Sequence, residues 1–187
     1  MSARRAQASG WWGMILLIAT EATLFGSLIA TYFYLRFESA AWPQGGIEKP
    51  SVALPVVLTA VLVASCLPVF GAVRAAKEGR TRRAWWLLAL ATAVQGAYLG
   101  LQLSLFAGDL DSFSPQRNAY ASIYFALLGL HHAHVAVGLA LDAWLLAVLL
   151  GGLTGYRLIA LRATALYWYF LSAVAVLVVL TQLYPSL

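Results

Sequence analysis

Five carboxyl or imidazole side chains interrupt long apolar stretches of this sequence, where such residues are rare. One lies between residues 11 and 37 and four lie between residues 116 and 150: Glu21, His131, His132, His134 and Asp142. A carboxyl or imidazole group inside a bilayer can hold or pass on a proton, and histidines can bind metal ions. An ionised carboxylate at that depth costs at least ~2.5 kcal/mol. Each group therefore needs a polar partner or a proton.

The two carboxylates stand at comparable depths. Glu21 follows Trp11 by ten residues, which is roughly 15 Å along a helix and close to the bilayer midplane. Asp142 precedes Leu150 by eight residues. We expect the other helices to pack around the first helix and to supply Glu21 with a polar neighbour. If Glu21 and Asp142 face each other, one of them holds a proton, because two close carboxylates do not both ionise.

The three histidines of the chain form one cluster on one helix. His131 and His134 are three residues apart and share a face, whereas His132 points about 100° away. Haem or copper binding by these three residues is one hypothesis. However, a single helix cannot surround a metal ion, and Cys66 is the only cysteine. We therefore expect no metal site, and we expect His131 and His134 to hydrogen-bond to other helices, with Glu21 as the natural partner.

The composition is that of a membrane protein. Hydrophobic residues make up 62% of the chain and charged residues 10%, against about 25% charged residues in soluble domains. The net charge of +5 is confined to a few loops and does not indicate nucleic-acid binding. A lone cysteine excludes a disulfide within the chain. We find no nucleophile paired with a base and no phosphate-binding loop, so the sequence predicts no catalytic residue.

The hydrophobic pattern predicts an all-α bundle of five transmembrane helices. They form a single domain, 1–187, with approximate helices at residues 11–37, 51–76, 84–106, 116–150 and 157–184. Pro68 lies inside the second helix and predicts a kink there. Asp109 and Asp111 are expected in the loop that follows the third helix.

The distribution of basic residues predicts the orientation of the bundle. With five helices, nine basic residues fall on one side of the membrane: Arg4, Arg5, Arg74, Lys77, Arg80, Arg82, Arg83, Arg157 and Arg162. Three fall on the other side: Arg36, Lys49 and Arg117. Because basic loops stay inside, the N-terminus is predicted to be cytoplasmic and the C-terminus outside.

Five motifs, in order along nearly the whole chain, resemble subunit III of the haem-copper oxygen reductases, the cytochrome c oxidases and quinol oxidases. The first helix has the aromatic-Gly-Met opening of that family at Trp12 and Gly13, and its membrane-buried Glu at Glu21. The others are WPQGGIEKP from Trp42 and Pro43, LGLQ ending at Gln102, GLHHAHVAVG with His131 and His134, and ALYWYFLS with Tyr167 and Trp168.

Several positions depart from the family pattern. His132 replaces a glycine between the two family histidines, and three polar family positions are Leu105, Tyr169 and Ser172 here. Asp142 stands where an apolar residue is expected. These differences are typical of a divergent branch.

The resemblance implies an accessory, cofactor-free subunit of a prokaryotic terminal oxidase in aerobic respiration. Such a subunit packs mainly on subunit I, in a complex whose haems and copper lie in subunits I and II. It binds phospholipids between its helices, stabilises subunit I and supports proton uptake. Glu21, His131 and His134 would be interior polar residues near the lipid cleft. The short five-helix form resembles bacterial members that lack the first two of seven helices, which implies the plasma membrane.

Two other functions remain open from the sequence. One is an accessory protein of a nitric oxide reductase, from the same family. The other is an independent proton-coupled carrier that uses Glu21 and Asp142.

Overall fold

A computed structural model describes residues 2–48, 51 and 53–183, with side chains from residue 10 onward. These residues form helices and no strand. The six α-helices, numbered α1 to α6, are Ser2–Phe37, Ala53–Ala64, Cys66–Lys77, Thr81–Ser112, Ala119–Leu149 and Gly155–Leu183. Because α2 and α3 together form one span, the described residues contain five helical segments long and apolar enough to cross a membrane. The all-α, five-span architecture is confirmed.

The central helix of the bundle is α6. It contacts α1, α2, α3 and α5. In the most apolar 18-residue stretch of α6, 61% of the residues are buried, against 6% in that of α1. The prediction that the other helices pack around the first helix is therefore wrong. The single carboxylate of α1 needs only one partner, whereas α6 is apolar around most of its circumference and is favoured in the interior.

The helix ends follow local capping and breaking residues. α1 begins at Ser2 rather than Trp11, since good helix formers precede Gly10. α4 runs to Ser112, so Asp109 and Asp111 lie on its last turns rather than in a loop; the next proline comes only at Pro115. α5 begins after Asn118, whose side chain accepts a hydrogen bond from the Ala121 N–H at 2.9 Å. Lys49, Pro50 and the predicted helix end at Tyr184 lie outside the described residues.

The second span is interrupted at Ser65, between α2 and α3. Pro68 has no N–H to donate, and its ring crowds the carbonyl of Ala64, four residues earlier. The Ser65 hydroxyl donates to the Leu62 carbonyl at 2.6 Å. The kink predicted from Pro68 is present as this break.

Aromatic rings fill the end of the bundle where α1 finishes. Tyr32, Trp42 and Tyr120 are buried, and the Trp42 ring contacts the other two edge-on at 5.2 and 4.9 Å. The Tyr32 hydroxyl donates to the Thr181 carbonyl at 2.7 Å and accepts from Trp42 Nε1 at 2.9 Å. The loop after α1 is held to the start of α5, because Arg117 donates to the Gly45 carbonyl at 2.8 Å. Gly45 has a φ of +68°, which glycine adopts at little cost.

Candidate functional site

The first polar site joins α1 to α5. Glu21 Oε2 lies 2.9 Å from His134 Nε2. The other ring nitrogen of His134, Nδ1, lies 2.8 Å from the carbonyl oxygen of Leu130, one turn earlier in α5. Of the two histidines expected to bond to Glu21, His134 does so, whereas His131 contacts Tyr98 instead.

The two hydrogen bonds of the His134 ring determine how many hydrogens the Glu21–His134 pair carries. A carbonyl oxygen only accepts, so His134 Nδ1 carries a hydrogen and donates it to Leu130. The short contact between Nε2 and Oε2 then needs a second hydrogen between them. It belongs either to an imidazolium facing a carboxylate or to a carboxylic acid facing a neutral imidazole. In both cases Glu21 and His134 share one exchangeable proton.

The pair lies near the edge of the bundle. The Glu21 and His134 side chains are 21% and 15% exposed. The Phe25 ring packs edge-on against the His134 ring at 5.2 Å, and the Tyr167 hydroxyl donates to the His134 backbone carbonyl at 3.1 Å. Tyr167 therefore ties α6 to the turn of α5 that carries the pair. The shared proton lies close to the surface of α1 that this chain leaves uncovered.

The other two histidines have different surroundings. His131 is buried, and its Nε2 lies 3.1 Å from the hydroxyl of Tyr98 on α4. His132 is also buried, with its ring against Phe106 at 5.4 Å. Because both ring nitrogens of His134 are occupied, the three histidines do not converge on one point. Within the described part of the chain, no group of three His, Cys, Asp or Glu side chains is placed to hold a metal ion.

The second polar site surrounds Asp142, which is completely buried. Its Oδ2 accepts a hydrogen bond from Trp168 Nε1 at 3.0 Å and lies 3.2 Å from Thr92 Oγ1. The Gln95 amide also lies against it, at 3.0 Å. These residues join α4, α5 and α6, and Gln95 extends the contacts to Ser65 at the break before α3.

The two carboxylates are not brought together by a hydrogen bond between described residues. Glu21 is paired with His134, whereas Asp142 is bonded to Trp168 and its α4 neighbours. The condition for a proton shared between Glu21 and Asp142 is therefore not met. Sequence analysis missed Thr92, Gln95 and Ser65, although a polar pair three residues apart in the third span was a usable signal.

The remaining motif residues divide between the surface and the interior. Trp12 is 61% exposed, and nothing lies within 4 Å of a Cβ placed on Gly13. Trp42 and Pro43 are buried in the loop after α1, and Gln102 is buried on α4. Trp168 is fully buried, and a Cβ on Gly138 would lie 2.8 Å from its Cζ2 atom. Gly138 thus allows α5 to approach the Trp168 ring closely.

The sequence matches the family described as cytochrome c oxidase subunit III over residues 4–186. The chain belongs to this family. The match spans all six helices and includes both polar sites. The expected family resemblance is therefore confirmed, and the chain is a multi-pass membrane protein of the subunit III family.

The relatives of this chain include subunits 3 of quinol oxidases and of cytochrome c oxidases. Cytochrome bo(3) ubiquinol oxidase subunit 3 of Pseudomonas aeruginosa is 31% identical over 172 residues, covering 88% of this chain and 78% of that protein. The probable quinol oxidase subunit 3 of Staphylococcus haemolyticus is 28% identical, covering 88% and 82%. Cytochrome c oxidase subunit 3 of Thermostichus vulcanus is 26% identical, covering 92% and 85%.

Proposed function

We propose that this protein is the accessory subunit III of a prokaryotic haem-copper terminal oxidase. The observation that carries the proposal is the family match along 4–186, together with relatives named as subunit 3 of quinol and cytochrome c oxidases. In this role the chain itself holds no cofactor. It packs mainly on subunit I, within a complex whose subunits I and II hold the haems and copper, and it stabilises that complex during aerobic respiration.

The bundle is proposed to lie in the plasma membrane with its N-terminus in the cytoplasm. Within this orientation, the basic residues between α3 and α4 and between α5 and α6 face the cytoplasm, as the positive-inside rule requires. The aromatic end of the bundle, with Trp42 and Tyr120, then faces outward. The single domain proposed for residues 1–187 is consistent with hydrophobic clusters that connect α5 and α6 with every other span.

The Glu21–His134 pair is proposed to support proton uptake beside a bound phospholipid. The pair holds one exchangeable proton and lies under the uncovered face of α1. Exposed residues near it on that face include Leu17, Thr20 and Leu24, which suit acyl chains or a neighbouring helix. His131 and its partner Tyr98 lie deeper and position α4 against α5.

The first test is purification of the tagged chain in mild detergent. We expect a large multi-helix partner to co-purify and to give a reduced-minus-oxidised haem spectrum. Mass spectrometry of the same sample should identify subunits I and II and bound phospholipids. A colourless chain without a haem protein would refute the oxidase role. A nitric oxide reductase spectrum would instead assign the chain to that branch of the family.

A second test separates an accessory role from a catalytic one. In the assembled oxidase, Glu21→Gln should leave the initial rate of oxygen reduction unchanged, because no redox centre is touched. Sustained turnover should decay faster, because the exchangeable proton is lost. Glu38→Gln, which alters an exposed carboxylate beyond α1, is the matched control. Loss of the initial rate in a fully assembled Glu21→Gln complex would contradict the accessory role.

The carrier hypothesis makes a different prediction. A carrier that used Glu21 and Asp142 would collapse a pH gradient in liposomes that contain this chain alone. Because the two carboxylates have separate partners, we expect no such flux. Proton flux that Glu21→Gln abolishes would favour the carrier over the oxidase subunit.

A further inference from the structure

Two grooves open on the surface of the bundle where α4 begins. Their volumes are about 810 and 470 Å³, and three residues line both of them: Thr81, Arg82 and Trp86. Because the Trp86 ring is 59% exposed and belongs to both linings, it lies on the border between the grooves. No residue of α1 lines either groove, so this surface is separate from the one beside Glu21.

The larger groove follows one face of α4. Beyond the shared residues it is lined by Arg80, Arg83, Leu87 and Leu90. Arg83, Leu87 and Leu90 are separated by four and three residues, which places them on the same side of the helix. Between Arg83 and Leu90 the helix rises about 10 Å into the span, and Leu90 is 55% exposed. The wall of this groove therefore changes from guanidinium to aliphatic with depth.

The smaller groove lies between the start of α4 and the end of α5. Beyond the shared residues it is lined by Trp85, Leu149, Leu150 and Gly152. Trp85 Nε1 donates to the backbone carbonyl of Leu146 at 2.9 Å, which holds α4 to α5 at this point, and Leu150 is 76% exposed. A ligand that occupied both grooves would contact two helices of the bundle.

The end that the two grooves share is positively charged. Within the described residues, Arg82 and Arg83 form no ion pair, and the carboxylate of Glu78 is already engaged by Arg74 and Arg80. The first turn of α4 contains no acidic residue, and no side chain caps it. The positive end of the helix dipole therefore adds to the field of the two arginines, and this end of the grooves favours an anion.

We propose that this surface binds one anionic phospholipid, with its phosphate at Arg82 and Arg83 and one acyl chain in each groove, on either side of Trp86. Guanidinium, indole and leucine follow one another along α4 in the order of the phosphate, ester and acyl regions of such a lipid. Two grooves that diverge from one arginine fit two chains that diverge from one headgroup. No carboxylate lines either groove to receive a choline or ethanolamine cation, so the lipid carries a net negative charge.

Tryptophan fluorescence of the full chain in phosphatidylcholine vesicles tests this site. A small fraction of phosphatidylglycerol with brominated acyl chains should quench Trp86, because bromine quenches an indole that it contacts. The signal of Trp86 is obtained by subtracting that of the Trp86→Phe variant. The same fraction of brominated phosphatidylcholine should quench Trp86 far less. Trp144 is 44% exposed on α5 and lines neither groove, so the two brominated lipids should quench it equally.

Two further comparisons test the arginine and the two acyl chains. Arg82→Gln should lower the affinity for phosphatidylglycerol about fivefold, the usual contribution of one basic residue at an anionic membrane surface, whereas Arg82→Lys should retain most of it. The matched control is Lys77→Gln, which removes an exposed cation at the end of α3 that lines neither groove. Lysophosphatidylglycerol, with its single chain, should compete less well than the two-chain lipid.

Four results would overturn the proposal. They are equal quenching of Trp86 by the two brominated lipids, equal effects of Arg82→Gln and Lys77→Gln, equal competition by the single-chain lipid, and protection of Trp86 from both brominated lipids. The last result would show that a second copy of the chain covers the grooves. The comparison of the two brominated lipids needs no arginine variant and therefore decides the matter even where Arg82→Gln does not fold. Lipid binding here does not depend on the assignment to an oxidase.

Discussion

The same helical bundle contains two carboxyl groups in opposite surroundings: Glu21, paired with His134, is partly exposed, whereas Asp142 is enclosed by its cluster. The Glu21–His134 pair is a contact between two helices, and both of its side chains retain some exposure at the edge of the chain. The Asp142 cluster is fully buried and joins three spans and the break at Ser65. Two carboxyl groups that the sequence predicts at comparable depths therefore differ in how far the protein encloses them. A carboxyl group at the edge of the bundle can exchange protons with molecules beside the chain, whereas an enclosed carboxyl group contacts only side chains of the bundle.

This difference predicts unequal energies for the two sites. Breaking one member of an enclosed polar cluster leaves other members without partners, which costs the full desolvation energy. Hydrogen bonds between membrane helices average only about 0.6 kcal/mol, because alternatives exist in the unfolded state. The Asp142 cluster should therefore dominate the stability of the bundle, and the Glu21–His134 pair should matter mainly for proton exchange.

The largest effect is expected for Trp168→Phe. This change removes the Nε1–H that donates to Asp142 and part of a fully buried ring, so we expect a loss of about 3 kcal/mol in the free energy of unfolding. Trp144→Phe alters a tryptophan that is 44% exposed on α5 and should change stability little. Detergent-titrated unfolding followed by circular dichroism measures both. Equal effects of the two variants would remove the proposed dominance of the Asp142 cluster.

Gly138→Ala should have the next largest effect, about 2 kcal/mol, because the new Cβ would lie 2.8 Å from the Trp168 ring and must displace it. The control is Gly96→Ala, where no heavy atom lies within 4 Å of the new Cβ and alanine favours the helix. The same unfolding titration should show destabilisation only for Gly138→Ala. A neutral result there would mean that Trp168 moves without straining the cluster.

A double-mutant cycle with Glu21→Gln and His134→Asn should give a coupling energy of only about 0.6 kcal/mol. The pair lies at the edge of the chain, where other partners can replace either residue. The cycle is measured by the same unfolding titration. A coupling of several kcal/mol would make the two sites energetically alike and would end the distinction between them.

Thr23→Ala should have the smallest effect, within about 0.5 kcal/mol. The Thr23 hydroxyl donates to the backbone carbonyl of Ala19 in its own helix at 2.9 Å and is exposed. Its removal therefore breaks no contact between helices. A strong destabilisation in the isolated chain would indicate a contact that this structure does not contain.

Features that depend on a single segment of the chain were predictable from the sequence, and features that depend on contacts between helices were not. Hydrophobic length predicted five spans, Pro68 predicted the break at Ser65, and the cost of a buried carboxylate predicted a partner for Glu21. These arguments need only one segment or one group. The central position of α6 and the identity of the Asp142 partners depend on which faces of different helices meet. Spacing along one helix does not contain that information, so Gln95 and Thr92 became recognisable only in three dimensions.

The aromatic end of the bundle restricts the routes by which water can arrive. Tyr32, Trp42 and Tyr120 fill the space where α1, α5 and α6 meet, and Phe25 continues the same cluster toward the imidazole of His134. A proton that travels along the bundle axis from this end would have to cross a layer of packed rings. For a proton that arrives from this end, the route to Glu21 that avoids these rings runs sideways across the exposed face of α1. A lipid or protein that covers α1 would therefore control proton exchange at Glu21.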